Sequence, residues 1–157
     1  MQKKGMVWVI GASGGLGRAA AQAFAQNGWS VIAGARSFAE GTSPLGEGVT
    51  VLPLDVTSEE SCAAFAEKAL SRENRVDVLV CAAAQLVLGS CENTTVDELD
   101  RLLNVNVLGT VRMVQRALPL MRRQKGGKMI LFSSINGLLG IPFQSAYTAS
   151  KHALEGY

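Results

Sequence analysis

The chain has 157 residues, is 48% hydrophobic and 18% charged, and carries a net charge of +2. That composition excludes a disordered polymer and suits one compact unit with a single core. A near-neutral balance gives no electrostatic case for nucleic acid, because the one basic cluster, Arg122-Arg123-Gln124-Lys125, reads as a solvated helix end. No apolar run approaches the ~20 residues of a membrane span. Gln2-Lys3-Lys4 leads straight into a strand, so no secretory leader is expected. Three cysteines without C-x-x-C spacing read as free thiols in a reducing cytoplasm, and one histidine is too few for a protein metal site.

In chain order, Met6–Ile10 reads as a strand covered on both faces, since it is short, apolar and unbroken by polar residues. Gly11, Gly14, Gly15 and Gly17 form a turn, and the alanines from Ala19 to Ala25 favour a helix. A strand feeding a helix through glycines presents backbone N–H groups at the positive end of the helix dipole, where a pyrophosphate fits. The G-x-G-x-x-G fingerprint fails, because Ser13 stands at its second glycine; a P-loop fails too, because Arg18-Ala19 follows Gly17. What stands is Gly11-x3-Gly15-x-Gly17.

Gly28 then closes the first helix, and Ser30–Ala33 is a second strand. The glycines and proline of 38–48, among them Gly41, predict a loop. Residues 49–54 are a third strand. Thr57-Ser58-Glu59-Glu60 is a capping box that opens a helix with a buried stripe of Cys62, Phe65, Ala66, Ala69 and Leu70. Residues 76–81 are a fourth strand. Thr95-Val96-Asp97-Glu98 is a second capping box, whose helix runs to about Asn104. A separate long helix, 107–124, shows Val111, Val114, Leu118 and Met121 on one face and stops at Gly126-Gly127. Residues 128–133 are a fifth strand, and 145–157 begin another helix. Trp8 and Trp29 read as packing residues, and His152 as a solvated one. Alternating strands and helices imply parallel βαβ units in a doubly wound sheet, with a ligand crevice at the carboxyl ends of the strands.

Four polar residues converge on that crevice. Tyr147 and Lys151 lie one helical turn apart and share a face. A phenol is a poor base at neutral pH, but a nearby ammonium favours the phenolate, which makes the two a general acid/base pair. Ser134 follows the fifth strand, and Asn106 precedes the long helix.

Taken together, these motifs resemble the short-chain dehydrogenase/reductase family. The glycine loop matches its cofactor loop, and Tyr147-Thr148-Ala149-Ser150-Lys151 matches its Tyr-x-x-x-Lys. Ser134 stands thirteen residues before the tyrosine, and Asn104-Val105-Asn106-Val107 matches its asparagine helix motif. Within the family, the stretch from Val76 to Tyr157 is nearest to the 17β-hydroxysteroid and retinol dehydrogenase branch, through Asn106–Met113 and Ala153-Leu154-Glu155-Gly156.

The resemblance implies a Rossmann-like fold of strand order 3-2-1-4-5 and hydride transfer between an alcohol and a ketone or aldehyde. It implies Tyr147 as general acid/base, and Lys151 as the group that holds the nicotinamide ribose and eases ionisation of the phenol. Ser134 would position the substrate oxygen, and Asn106 would hold a water linking Lys151 to solvent. Cofactor contacts are implied for Gly11, Ser13, Gly14, Gly15, Leu16, Gly17, Arg36, Asp55, Val56, Ala82, Ala83, Tyr147 and Lys151. Arg36 at the end of strand two, where no carboxylate stands, points to NADP ahead of NAD, because a guanidinium forks onto a 2′-phosphate.

The partner expected is a small alcohol or carbonyl compound, with a homodimer or homotetramer allowed by the long helices. Two departures stand against the family pattern. Cys81-Ala82-Ala83-Ala84 replaces Asn-Asn-Ala-Gly, and Ile10 replaces a threonine. The family fold also continues into sixth and seventh strands. The chain reads as a single Rossmann domain over 1–157, truncated before them. The alternative from another class is a catalytically silent dinucleotide-binding or interaction module, or an inactive fragment.

Overall fold

The computed structural model describes residues 4–39 and 43–157. Gln2, Lys3 and Gly41, which entered the sequence reading, lie outside the described residues. Five strands, β1 (Met6–Ile10), β2 (Ser30–Ala35), β3 (Val49–Pro53), β4 (Val78–Cys81) and β5 (Lys128–Leu131), form one parallel sheet of order β3-β2-β1-β4-β5. The helices are α1 (Gly15–Gln26), α2 (Glu59–Arg72), α3 (Val96–Leu103), α4 (Gly109–Gln124) and α5 (Ser145–Gly156). The expected topology is therefore the observed one.

β1 shows why the sheet needs helices on both sides. Successive strand side chains point to opposite faces. Met6, Trp8 and Ile10 enter a core with Phe65 of α2, Leu79 of β4 and Met113 of α4. Val7 and Val9 enter another with Ala21 of α1, Val31 and Val80. All five residues of β1 are buried, so its sequence carries no alternation. Trp8 meets Phe65 edge to face at 5.7 Å, and Trp29 meets Phe24 at 5.7 Å, so both tryptophans pack as expected.

Several boundaries move, each for a visible reason. β4 starts at Val78 rather than Val76, because the Gln124 side chain takes both backbone groups of Val76: its Oε1 accepts from the N–H at 3.0 Å and its Nε2 donates to the carbonyl at 2.9 Å. β5 ends at Leu131, two residues early, and β2 runs on to Ala35. The cap of α2 is Ser58, whose Oγ accepts from Ser61 N–H at 3.1 Å; Thr57 bonds to Asp55 instead. The second capping box forms as read, between Thr95 and Glu98. The two helices expected on either side of Asn104–Val107 are continuous, joined by a π-helical turn over Asn104–Leu108. On α4, Met113, Val114, Ala117, Leu120 and Met121 are buried, whereas Val111 and Leu118 are half-buried.

Asp77 clamps the entry to the sheet. Its Oδ2 accepts from Met6 N–H at 2.8 Å, and Arg75 grips both carboxylate oxygens. Burial pushes its pKa up, but the Arg75 hydrogen bond and the Met6 N–H outweigh that and leave it below the usual 3.8. A depressed carboxylate binds its proton more weakly folded than unfolded. Its stabilisation is therefore complete above the unfolded pKa and is lost as pH falls through the lower folded value. Asp77→Asn is expected to cost about 1–2 kcal/mol near pH 7. The loss should shrink below pH 4 in urea unfolding; an equal loss at both pH values would contradict this account.

Candidate functional site

The cofactor loop is built by close approach. Gly11 has φ +85, and a Cβ there would stand 2.6 Å from Ala83 Cα and 2.8 Å from the Ala82 carbonyl carbon. A Cβ on Gly17 would collide with the Gly11 carbonyl, so these two glycines let α1 and the end of β4 crowd onto the end of β1. Gly14 is different: its backbone is extended (φ −161), and a Cβ would meet nothing within 4 Å. Arg18 braces the loop by donating to the Ser13 carbonyl from Nη2 at 3.1 Å.

Beside the loop lies a cleft of about 260 Å³. Gly11, Ser13, Gly14, Arg36, Asp55, Val56, Ala82 and Ala83 form its wall. Ala35, Leu54, Ala84, Gln85 and Val105 also line it and were not read from the sequence as contacts. Gly15, Leu16 and Gly17 open α1 outside the lining; Leu16 is exposed and Gly17 buried. Ala84, which replaces a glycine in the family pattern, is exposed at the rim. Cys81, which replaces an asparagine, is buried in β4, and burial pushes its thiol up to about 12, so it stays neutral.

Asp55 is held as an anion. Thr57 donates to its Oδ1 from the backbone at 2.9 Å and from the hydroxyl at 2.7 Å. These bonds, followed by the positive charges of Arg36 and Arg112, keep its pKa below the usual carboxylate range against the opposing effect of burial. Arg112, which the sequence reading missed, donates to the Val56 carbonyl at 3.0 Å and to Asn104 Oδ1 at 2.9 Å, fastening α4 to that wall.

Of the four residues read as catalytic, none lines the cleft; hydrogen bonds join Asn106 to its Gln85 and, through Ser150, reach the Tyr147 carbonyl. Asn106 is buried in the π-turn. Its Oδ1 accepts from Gln85 N–H at 2.8 Å, and its Nδ2 donates to the Gln85 carbonyl at 2.9 Å and to Ser150 Oγ at 3.0 Å. Both donors of the Asn106 amide are thus engaged by protein, and its Oδ1 accepts one bond of the two it can take. Ser150 in turn donates to the Tyr147 carbonyl at 2.7 Å.

Lys151 is 2% exposed, donates from Nζ to the Phe132 carbonyl at 2.7 Å and lies 5.6 Å from the centre of the Tyr147 ring. Burial pulls its pKa down. An ammonium has three donors, and the Phe132 carbonyl takes one of them. Ser134 caps a single 3-10 turn, Ile135–Gly137, and bonds to Asn136, a residue with no motif to announce it. His152 is exposed, as expected, with Nδ1 3.0 Å from the Thr148 carbonyl.

The rim beside Tyr147 is apolar. Leu86 and Leu88 on one loop, and Ile135, Leu138, Leu139 and Phe143 on another, are all exposed. The loops pair where Gly89 N–H donates to the Phe143 carbonyl at 2.9 Å. Residues 82–91 and 134–150 contain no Asp, Glu, Lys, Arg or His. Among the described residues there is no group of His, Cys, Asp and Glu suited to a metal, and no helix long and apolar enough to cross a membrane.

An all-parallel sheet whose first strand feeds a helix through close-packed glycines defines a Rossmann-type α/β protein. The short chain dehydrogenase family matches residues 5–157, and the chain belongs to that family. It is 38% identical over 152 residues to a 3-ketodihydrosphingosine reductase of Bacteroides thetaiotaomicron, covering 97% of this chain and 55% of the relative. It is 48% identical over 105 residues to the 17-beta-hydroxysteroid dehydrogenase type 1 of Homo sapiens, covering 67% of this chain and 31% of the relative. A solved short-chain dehydrogenase from Streptomyces avermitilis superposes with a TM-score of 0.88 at 36% identity, over 96% of this chain and 57% of that one. The chain thus spans about half the length, or less, of these relatives.

Proposed function

We propose that this chain binds a nicotinamide dinucleotide, NADP ahead of NAD, and interconverts an alcohol and a ketone or aldehyde. The observation that carries the reading is the buried Lys151 ammonium beside the Tyr147 ring, joined through Ser150 and Asn106 to the Gly11 cleft. The cleft suits the cofactor. Space is open over Gly14, no side chain caps α1, and no acidic residue stands in its first turn, so its N–H groups are left for a phosphate. Arg36 would hold the 2′-phosphate and Asp55 with Val56 the adenine. Lys151 would hold the nicotinamide ribose.

A bound nicotinamide supplies a hydride to a carbonyl carbon or accepts one from an alcohol. Tyr147 gives the carbonyl oxygen its proton, or takes it from the alcohol. Ser134 orients that oxygen. The exposed leucines, Ile135 and Phe143 offer an apolar substrate a large contact area, which favours an apolar compound. Three free thiols suit a reducing compartment such as the cytoplasm.

The test is a titration of NADPH and NADH followed by nicotinamide fluorescence. Arg36→Ala is expected to weaken NADPH about tenfold and leave NADH within twofold. Equal loss for both would remove the 2′-phosphate role. Binding of neither nucleotide would sink the reading. Saturable binding without turnover of any carbonyl would favour a silent dinucleotide-binding module.

A further inference from the structure

We propose that Asn136 is a positioning residue for Ser134: it fixes the serine hydroxyl to the helix that carries Tyr147, and the substrate oxygen takes over the bond that Asn136 Oδ1 now accepts. The inference rests on the reaction proposed above. Asn136 is 3% exposed, and both polar atoms of its side chain are engaged. Its Nδ2 donates to Gln144 Oε1 and to Thr148 Oγ1, both at 3.0 Å, and so ties it to the start of α5. On the other side it holds Ser134 twice. The Ser134 hydroxyl donates to Asn136 Oδ1 at 3.2 Å, and the Asn136 N–H donates to Ser134 Oγ at 3.3 Å.

A serine in a loop has three staggered wells for its hydroxyl. The two contacts to Asn136 select one well, and the Thr148 bond refers that choice to the residue next to Tyr147. The lengths matter. The bonds from Asn136 to α5 are of ordinary length for an amide donor, whereas the Ser134 hydroxyl bond is long against the ~2.7–2.8 Å usual between hydroxyl and oxygen, and the Asn136 N–H bond against the ~2.9–3.0 Å usual for an N–H donor. The anchor is therefore firm and the grip on the hydroxyl is loose. A carbonyl oxygen arriving at Ser134 displaces the weaker partner, and the hydroxyl turns to it without disturbing the anchor. An alcohol is met by the same donor: Ser134 donates to its oxygen, and the alcohol's own O–H is left for Tyr147 to take.

The test separates this role from packing. Thr148→Val removes one hydroxyl at nearly constant shape and cuts one of the two anchoring bonds, the one that refers Asn136 to the neighbour of Tyr147; Thr148→Ser keeps both. With NADPH and benzil as an uncharged apolar probe, Asn136→Ala and Thr148→Val are expected to lower kcat about 10–100-fold. Thr148→Ser should hold the wild-type rate, and NADPH affinity should stay within twofold in all three. Crystal structures of the variants should show the Ser134 hydroxyl spread over rotamers in Asn136→Ala and Thr148→Val. A kcat unchanged in Thr148→Val, or one Ser134 rotamer kept in both variants, overturns the proposal. If the wild-type chain turns over no carbonyl, the proposed reaction fails, and the Ser134 rotamer still decides the role of Asn136.

Discussion

Replacing Tyr147 with phenylalanine is expected to lower kcat about 10²–10⁴-fold, the range that a positioned acid or base contributes. The effect should fall on the chemical step alone. Phenylalanine keeps the ring that lies 5.6 Å from Lys151 Nζ and removes one hydroxyl. The Ser150 bond goes to the Tyr147 backbone carbonyl, which the substitution leaves in place. NADPH titration of the variant should therefore match wild type within about twofold, and its urea midpoint should be unchanged. Full turnover by Tyr147→Phe would remove the phenol from the reaction. Loss of NADPH binding along with turnover would show that the residue serves the cleft rather than proton transfer.

The second large effect is expected at Gly11. Alanine there meets two penalties. Its backbone, at φ +85, lies in a region that disfavours a side chain at about 1–3 kcal/mol. Its Cβ would also press on the backbone of Ala82 and Ala83, and backbone cannot turn aside as a flexible side chain does. Overpacking of that kind costs about 1–3 kcal/mol. Gly11→Ala should lose about 2–6 kcal/mol in urea unfolding and bind neither NADPH nor NADH measurably. Gly14→Ala is the contrast. With extended backbone and open space, it should fold as wild type and lose affinity for nucleotide alone, because its methyl group points into room that the phosphate needs. Equal stability losses in the two variants would contradict the geometry.

Much of the fold was legible because each element states its surroundings locally. The unbroken apolar run of β1 predicted a strand covered on both faces, and the Thr95–Glu98 capping box marked the start of α3 by itself. What escaped depends on partners distant in sequence. Nothing near Val76 shows that Gln124, 48 residues away, will take its backbone groups and shorten β4. Likewise, Asn104–Leu108 reads as a break between helices because asparagine often caps. Here Asn106 keeps helical backbone in a π-turn, and its amide reaches across to Gln85 and Ser150.

The site divides in the same way. Spacing picks out Gly11, Gly17, Tyr147 and Lys151, since a turn and a helix face are short-range facts. Asn136 and Arg112 carry no such mark. They are defined by what they touch: Ser134 with Thr148, and the Val56 carbonyl with Asn104.

The Asn106 staple has a thermodynamic consequence. The segment after β4 has no regular structure, and one amide holds both backbone groups of Gln85, a residue of the cleft wall, while also donating to Ser150 of α5. Opening either side leaves the same buried amide short of a partner, so disorder on one side weakens the other. Occupancy of the cleft is then linked to the order of α5, and the linkage is reciprocal: whatever settles at Tyr147 tightens the cleft by the same factor by which the cleft's occupant favours it.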